Sequence, residues 1–304
     1  MSVDLTNLND TIFAQEALLP FAATLAPLAK FSKDFSAAFA QKGDKVRVPI
    51  VETPDGSKDF GTTGDYTVGA GGAIDTVDVT LGIHKYQTLD ITEKQTLDTA
   101  VDVIPALLKA KAQKLAEDVM AEVFAVVKAS AFPNALSVKL ADFGQASMAA
   151  VASLLTKNRI PRANRSAVLD AAWYEKLVAD PTIMRSFVKE VAADAIVENR
   201  IARSAGMNVY DSNALPTNDE NLVGFAGAPC ALAFASRYVP PVAGCDAVMS
   251  VVDPETGVIL GYRRFSDPAK GKAYITIEAL CGVKAVVKSA LVRIVEEQAA
   301  VVNG

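Results

Sequence analysis

Apolar residues recur every three or four positions through one stretch of the chain: Val101, Ile104, Leu108, Ala112, Leu115, Val119, Val123 and Val126. Their mean period of about 3.6 residues places them on one stripe of an α-helix. Thr92-Glu93-Lys94-Gln95 has capping-box spacing ahead of the stripe. A helix from Thr92 to Ser130 would reach roughly 58 Å, and Pro105 is expected to kink or split it. Strict heptads are not kept, so the stripe points to packing on a sheet and not to an isolated coiled coil.

Strand-like alternation brackets a different kind of segment. Lys45–Val51 (KVRVPIV) and Val77–Leu81 alternate with period 2. Between them runs ETPDGSKDFGTTGDYTVGAGGAID, polar and with six glycines from Gly56 to Gly72. A loop this long is uncommon inside a compact domain unless it acts outside it. The pattern predicts a long hairpin with a glycine-rich tip. Ahead of it, Asn9-Asp10-Thr11 offers N-cap chemistry for a short helix over Ile12–Leu19, ending at Pro20. Phe21, Leu25, Leu28, Phe31, Phe35 and Phe39 then follow without a clean period. This reads either as a helical N-terminal subdomain or as an arm lying on a neighbouring subunit.

From about residue 140 the pattern turns α/β. Helices are expected over Phe143–Thr156, Ala171–Val178 and Ile183–Ala192, and strands over Ser166–Leu169, Met207–Tyr210 and Cys230–Ala235. The last quarter is strand-rich: Val248–Val252, Val258–Phe265, Ala273–Ala279, Val283–Val287 and Leu291–Val295. Asp253-Pro254-Glu255-Thr256-Gly257 is a turn signal between the first two of these. The chain thus divides into residues 1–45, 46–83, 84–139, 140–247 and 248–304, with part of the last stretch available to the α/β sheet.

Composition narrows the function. Half of the 304 residues are hydrophobic, 21% are charged and the net charge is −5. No basic block of five or more residues occurs, which argues against tight sequence-specific nucleic-acid binding. Cys230, Cys245 and Cys281 are odd in number and lack C-x-x-C spacing, so no disulfide framework is expected and synthesis belongs in a reducing cytosol. No apolar run approaches about 18 residues, and MSVDLTNLNDT lacks the basic start and apolar stretch of a signal peptide.

Candidate chemistry is sparse. His84 is the sole histidine, so any histidine triad or zinc site would have to use it; it reads as structural. The cysteines read as buried small residues. Gly69–Gly72 (GAGG) lacks the Gly-Lys-Ser/Thr ending of a phosphate loop. Asp253 and Glu255 read first as turn residues, and Glu117/Asp118 as a solvated helix face. Arg159, Arg162 and Arg165 form a basic cluster suited to an anion or to bridging subunits. No catalytic, cofactor-binding or metal-binding residue is assigned.

The order of parts (arm, strand-bounded loop, long helix, α/β region, late strands) resembles the major capsid proteins of tailed phages, which share the Hong Kong 97 fold. Asn164–Phe187 (NRSAVLDAAWYEKLVADPTIMRSF) looks like a segment of that family's A-domain. Gly206, Val209, Tyr210, Ser212, Leu215 and Pro216 match its Gly-x-x-Val-Tyr-x-Ser-x-x-Leu-Pro wording, and HKYQTLDITEKQTLDTA looks like the entry to its spine helix. The resemblance implies an α+β fold with an N-arm (1–45), an E-loop (46–83), a P-domain with spine helix (84–139), an A-domain (140–247) and P-domain strands (248–304). The A-domain tip would lie around 185–205 and 236–246.

It further implies a structural protein, not an enzyme. Such a protein self-assembles as hexamers and pentamers into an icosahedral shell that encloses double-stranded DNA, in the virion, after assembly in the host bacterial cytoplasm. Implied partners are further copies of itself, a portal protein and a decoration protein. No cleavable scaffolding segment precedes the arm, which points to a separate scaffolding protein. Some relatives cross-link a lysine in this loop; Lys58 lies there, but nothing identifies its partner. Candidates for contact between subunits are Phe21, Phe31 and Phe35 in the arm, Lys58, Phe60 and Tyr66 in the loop, and Arg159, Arg162 and Arg165. Two alternatives stand beside this reading: an encapsulin-type nanocompartment shell, and a cytosolic α/β enzyme with an unread site. Packaged protein instead of DNA marks the first, and a small stable oligomer the second.

Overall fold

The computed structural model describes residues 5–34, 45–51, 74–92, 103–181, 203–240 and 243–297. The first element is α1 (Leu5–Leu25), which continues into a 3-10 turn over Ala26–Lys30. This helix corrects the expected stop at Pro20. Ala14, Ala17, Phe21, Leu25 and Leu28 form one buried stripe. Proline inside a helix costs about 3 kcal/mol, whereas burying Phe21 and Leu25 yields about 1.5–3 kcal/mol each, so packing prevails. Thr24 Oγ1 also donates to the Pro20 carbonyl at 2.9 Å. Asp10, expected as a cap, lies inside the helix. The stretch Asp10–Lys30 is long and apolar enough, by composition, to cross a membrane. Its stripe is instead buried in this chain's own core.

Two six-stranded sheets make the body. The first orders β1 (Ser32–Asp34), β10 (Leu232–Arg237), β13 (Lys272–Ala285), β12 (Ile259–Asp267) and β11 (Ala247–Val252), with β4 (Ile83–Thr92) also on β13. Fourteen-residue β13 is its axis: Lys272–Cys281 pair with β4 and Leu280–Ala285 with β10. The expected break between Ala279 and Val283 is therefore absent. β4 carries Ile83–Thr92 as strand, so Thr92 closes a strand; the capping-box residues 93–95 lie outside the described residues.

The second sheet orders β5 (Ala135–Val138), β14 (Leu291–Glu296), β9 (Leu222–Gly227), β6 (Ser166–Leu169), β8 (Met207–Asp211) and β7 (Arg203–Ser204). Membership does not follow chain order. Leu232–Arg237 lies in the stretch expected to be α/β but pairs in the first sheet, and β14 pairs in the second. β1, β5, β7, β9 and most of β4 lie outside the expected strands. A two-stranded ribbon joins β2 (Lys45–Val51) to β3 (Ile74–Thr80) with Val48 opposite Val77.

The described long helix is α2 (Val103–Phe124), which ends before the expected Ser130. Pro105 sits in the first described turn, where a missing N–H costs no hydrogen bond; residues 93–102, over which the helix was expected to begin, lie outside the described residues. Leu108, Ala112, Leu115, Val119 and Val123 are buried as the stripe requires. Lys109 Nζ reaches Glu16 of α1 at 3.2 Å, and Lys85 of β4 reaches Glu122 at 2.7 Å. On the second sheet lie α3 (Gln145–Lys157) and α4 (Ala171–Val178), close to their expected bounds. Asp170 caps α4 by accepting the Ala172 N–H, and Asp180 accepts the Gln145 N–H at the start of α3, 2.7 Å away. The expected helix over 183–192 lies outside the described residues.

One continuous core links these layers. Its centre is an aromatic trio: the Phe225 ring on β9 meets Phe31 and Phe124 edge-on, each with centroids 4.9 Å apart. The arm, the second sheet and the long helix are thereby fastened at one point.

Candidate assembly surfaces

The ribbon is seated through small side chains. Val46, Val48 and Val79 pack on Ala233 and Ala235 of β10. The opposite face of the ribbon points outward, where Arg47 and Asp78 pair at 3.2 Å. At its base the chain presses onto β13 so closely that a Cβ at Gly282 would sit 2.2 Å from the Thr80 carbonyl oxygen. Gly282 is thus required for close approach. It was not picked out from the sequence, because a strand glycine normally signals only a weak strand. The loop expected between the two strands, including Lys58, Phe60, Tyr66 and Gly69–Gly72, lies outside the described residues, as does Phe35.

The far end of α2 is gripped from the second sheet. Asn218 Nδ2 donates to the Phe124 and Val127 carbonyls at 3.1 and 2.7 Å. Phe124 is the last residue of α2, and its carbonyl also accepts the Val127 N–H at 2.9 Å, so Asn218 clamps the turn that leaves the helix. Glu220 accepts the Ala129 N–H at 2.9 Å and pairs with the buried Arg293 of β14, whose Nε donates to the Phe132 carbonyl at 2.7 Å. Asn218, Asp219 and Asn221 all have positive φ, and asparagine and aspartate tolerate that region best. Nothing in the local pattern of Asn218–Asn221 marks this role; only the fold shows what the run holds.

Two buried carboxylates anchor the first sheet. Asp10 accepts from the Tyr262 hydroxyl at 2.9 Å and pairs with Arg264 at 3.2 Å, tying α1 to β12. Burial first, and then the Asp10 carboxylate, push the Tyr262 phenol well above its ordinary pKa. Glu278 on β13 takes Arg263 from β12 and His84 from β4, the latter at 3.1 Å. His84 therefore serves as a cross-strand partner.

The remaining sequence candidates separate. Phe21 and Phe31 are fully buried in this chain's own core, so neither ring is offered to a neighbour. The three arginines do not form one patch. Arg159 is exposed, at positive φ. Arg165 is only 4% exposed and turned inward. It donates to the Pro161, Ala152 and Ile160 carbonyls and to Thr156 Oγ1, and so pins the turn after α3. Its pKa is lowered, by burial first and then by Arg162. Arg162 is exposed and lines a cavity of about 500 Å³ beside it.

Asp253 caps its own turn, accepting from the Thr256 N–H at 3.1 Å, and Gly257 adopts φ +71. Cys281 is buried, its thiol pushed up to about 12 by desolvation. Glu117 and Asp118 face Lys114 at 3.7 and 3.0 Å. Among the described residues no group of three His, Cys, Asp or Glu could hold a metal.

No protein-family model matches the chain, and no curated protein matches it in sequence. Solved structures do match. A structure from Mycobacterium phage Che8 superposes with TM-score 0.59 over 90% of both chains, at 19% identity. The capsid structure of cyanophage P-SCSP1u gives TM-score 0.63 at 14% identity, covering 88% of this chain and 87% of that one. A virus-like particle from Pyrococcus furiosus gives TM-score 0.53 at 12% identity, over 93% and 98%. The class is thereby defined: the chain has the α+β, Hong Kong 97-like fold of capsid subunits. Within that class it is similar to the subunits of tailed-phage capsids.

Proposed function

We propose that this chain is the major capsid protein of a tailed phage, assembling as hexamers and pentamers into an icosahedral shell around double-stranded DNA. The observation that carries this reading is likeness over nearly the whole chain to phage structures, a capsid among them, with coverage near nine-tenths on both sides. The ribbon and the single core joining the arm, long helix and both sheets add to it. A structural role, a virion location, assembly in the bacterial cytoplasm and scaffolding, portal and decoration partners follow from the same reading. So does the division into N-arm, E-loop, P-domain and A-domain. The extended loop supplies contact area that a compact body could not reach, and many modest contacts sum by avidity.

Expression of the full chain, followed by negative-stain electron microscopy and mass measurement, tests the reading. Megadalton particles are expected. A homogeneous dimer or tetramer would instead favour the enzyme alternative, and particles filled with protein the nanocompartment.

A further inference from the structure

Among the described residues, one cavity is lined by small side chains and cations alone. Helix α3 turns Ala149, Ala152, Ser153 and Thr156 toward it, a spacing that places all four on one helix face. The Ala205-Gly206 turn, with φ of +49 and +79, lines it as well. Arg162 and Arg165 are its charged members, and no carboxylate lines it among the described residues. Neither arginine has an ion pair among those residues. Arg165 directs four hydrogen bonds to its own chain, which leaves over one of the five donors that a guanidinium carries.

We propose that this groove receives an acidic segment of a second copy of this chain, with a carboxylate seated on Arg162 and the spare donor of Arg165. The inference rests on the shell reading, which supplies second copies at every contact. Three observations select the occupant. About 500 Å³ suits several residues of extended chain, not a single ion. Alanine, serine and glycine walls let a backbone approach closely. The chain carries 35 acidic against 30 basic residues, so its surfaces offer carboxylates that complement the groove. Nucleic acid fits less well, since binding a phosphate backbone needs an array of accessible cations and only Arg162 is exposed here.

The test uses the full chain, with a photoactivatable cross-linking amino acid at exposed Ser153, assembled from an equal mixture of light and nitrogen-15-labelled subunits. Heavy-to-light links into peptides containing Asp or Glu are expected. Arg162→Glu should keep the wild-type melting curve yet raise the concentration needed for assembly about tenfold, the scale of one ion pair. Arg162→Lys should restore most of it. Links confined to the same chain, links to peptides without acidic residues or to DNA, or normal assembly of Arg162→Glu would overturn the groove proposal while leaving the shell reading intact. A wild-type chain that forms no particles would overturn both.

Discussion

The inner strands of the second sheet and strand β4 of the first differ in how completely they are covered. Strands β6, β9 and β14 of the second sheet are buried nearly end to end, on both faces. In the first sheet, β4 alternates between half-buried and exposed, and Tyr86 stands 65% exposed on it. The second sheet also closes its charge: Arg293 meets Glu220, and two backbone groups, the Ala129 N–H and the Phe132 carbonyl, complete that grip. The first sheet carries the ribbon on a small cluster of valines and alanines. The inner strands of the second sheet are complete within the subunit, whereas β4 of the first sheet keeps an open face, as does β5 at the edge of the second. The proposed shell role would use both, since a rigid body fixes the angle at which open faces meet.

The comparison is broken most directly at the aromatic trio. Phe225→Ala should destabilise the subunit by about 3–5 kcal/mol, the range for emptying a buried aromatic site. A urea midpoint near wild type would show that the second sheet is not the centre of stability. Next, Arg293→Met should cost about 2–4 kcal/mol, because Glu220 and the Phe132 carbonyl lose their partner. Glu220→Gln added to Arg293→Met should recover part of it, as the double-mutant midpoint would reveal.

The third test moves to the first sheet. Gly282→Val should cost about 1–3 kcal/mol as an overpacked site. Its distinguishing effect should be local: faster protease cleavage within residues 45–80, with the denaturant slope of the body unchanged. Equal cleavage rates would contradict a ribbon seated at Gly282.

Tyr262→Phe should cost about 1 kcal/mol by leaving Asp10 one donor short. The sign of its pH dependence follows from the raised phenol. The unfolded chain loses that proton near pH 10, while the folded chain holds it, so this contribution is intact below about pH 10 and declines above it. The gap between wild type and Tyr262→Phe should therefore narrow from pH 8 to pH 11. The smallest effect belongs to the outer ribbon face: Arg47→Ala should move the melting temperature by under about a degree or two, as exposed pairs contribute little.

How much of this was legible in the sequence depended on what each signal measures. Ser166–Leu169, Ala171–Val178 and the stripe on α2 were readable because burial on one face, or on two, leaves a periodic trace. β9 was not, because Gly224 and Gly227 weaken its pattern. Their reason is spatial: a Cβ at Gly224 would lie 2.7 Å from the Val168 oxygen, and one at Gly227 2.8 Å from the Ala290 oxygen. The basic cluster of three arginines was visible, but not that one of them would be buried.

By itself the sequence determined the local elements, the paired ribbon strands and the order of parts that resembles a capsid subunit, since periodicity and turn chemistry act over a few residues. Only the tertiary structure decided that α1 runs through Pro20, which sheet takes β10 and β14, and that Phe21 and Phe31 face inward. These outcomes depend on contacts between residues far apart in the chain, where burial outweighs local preference and where a side chain's partner cannot be inferred from its neighbours in sequence.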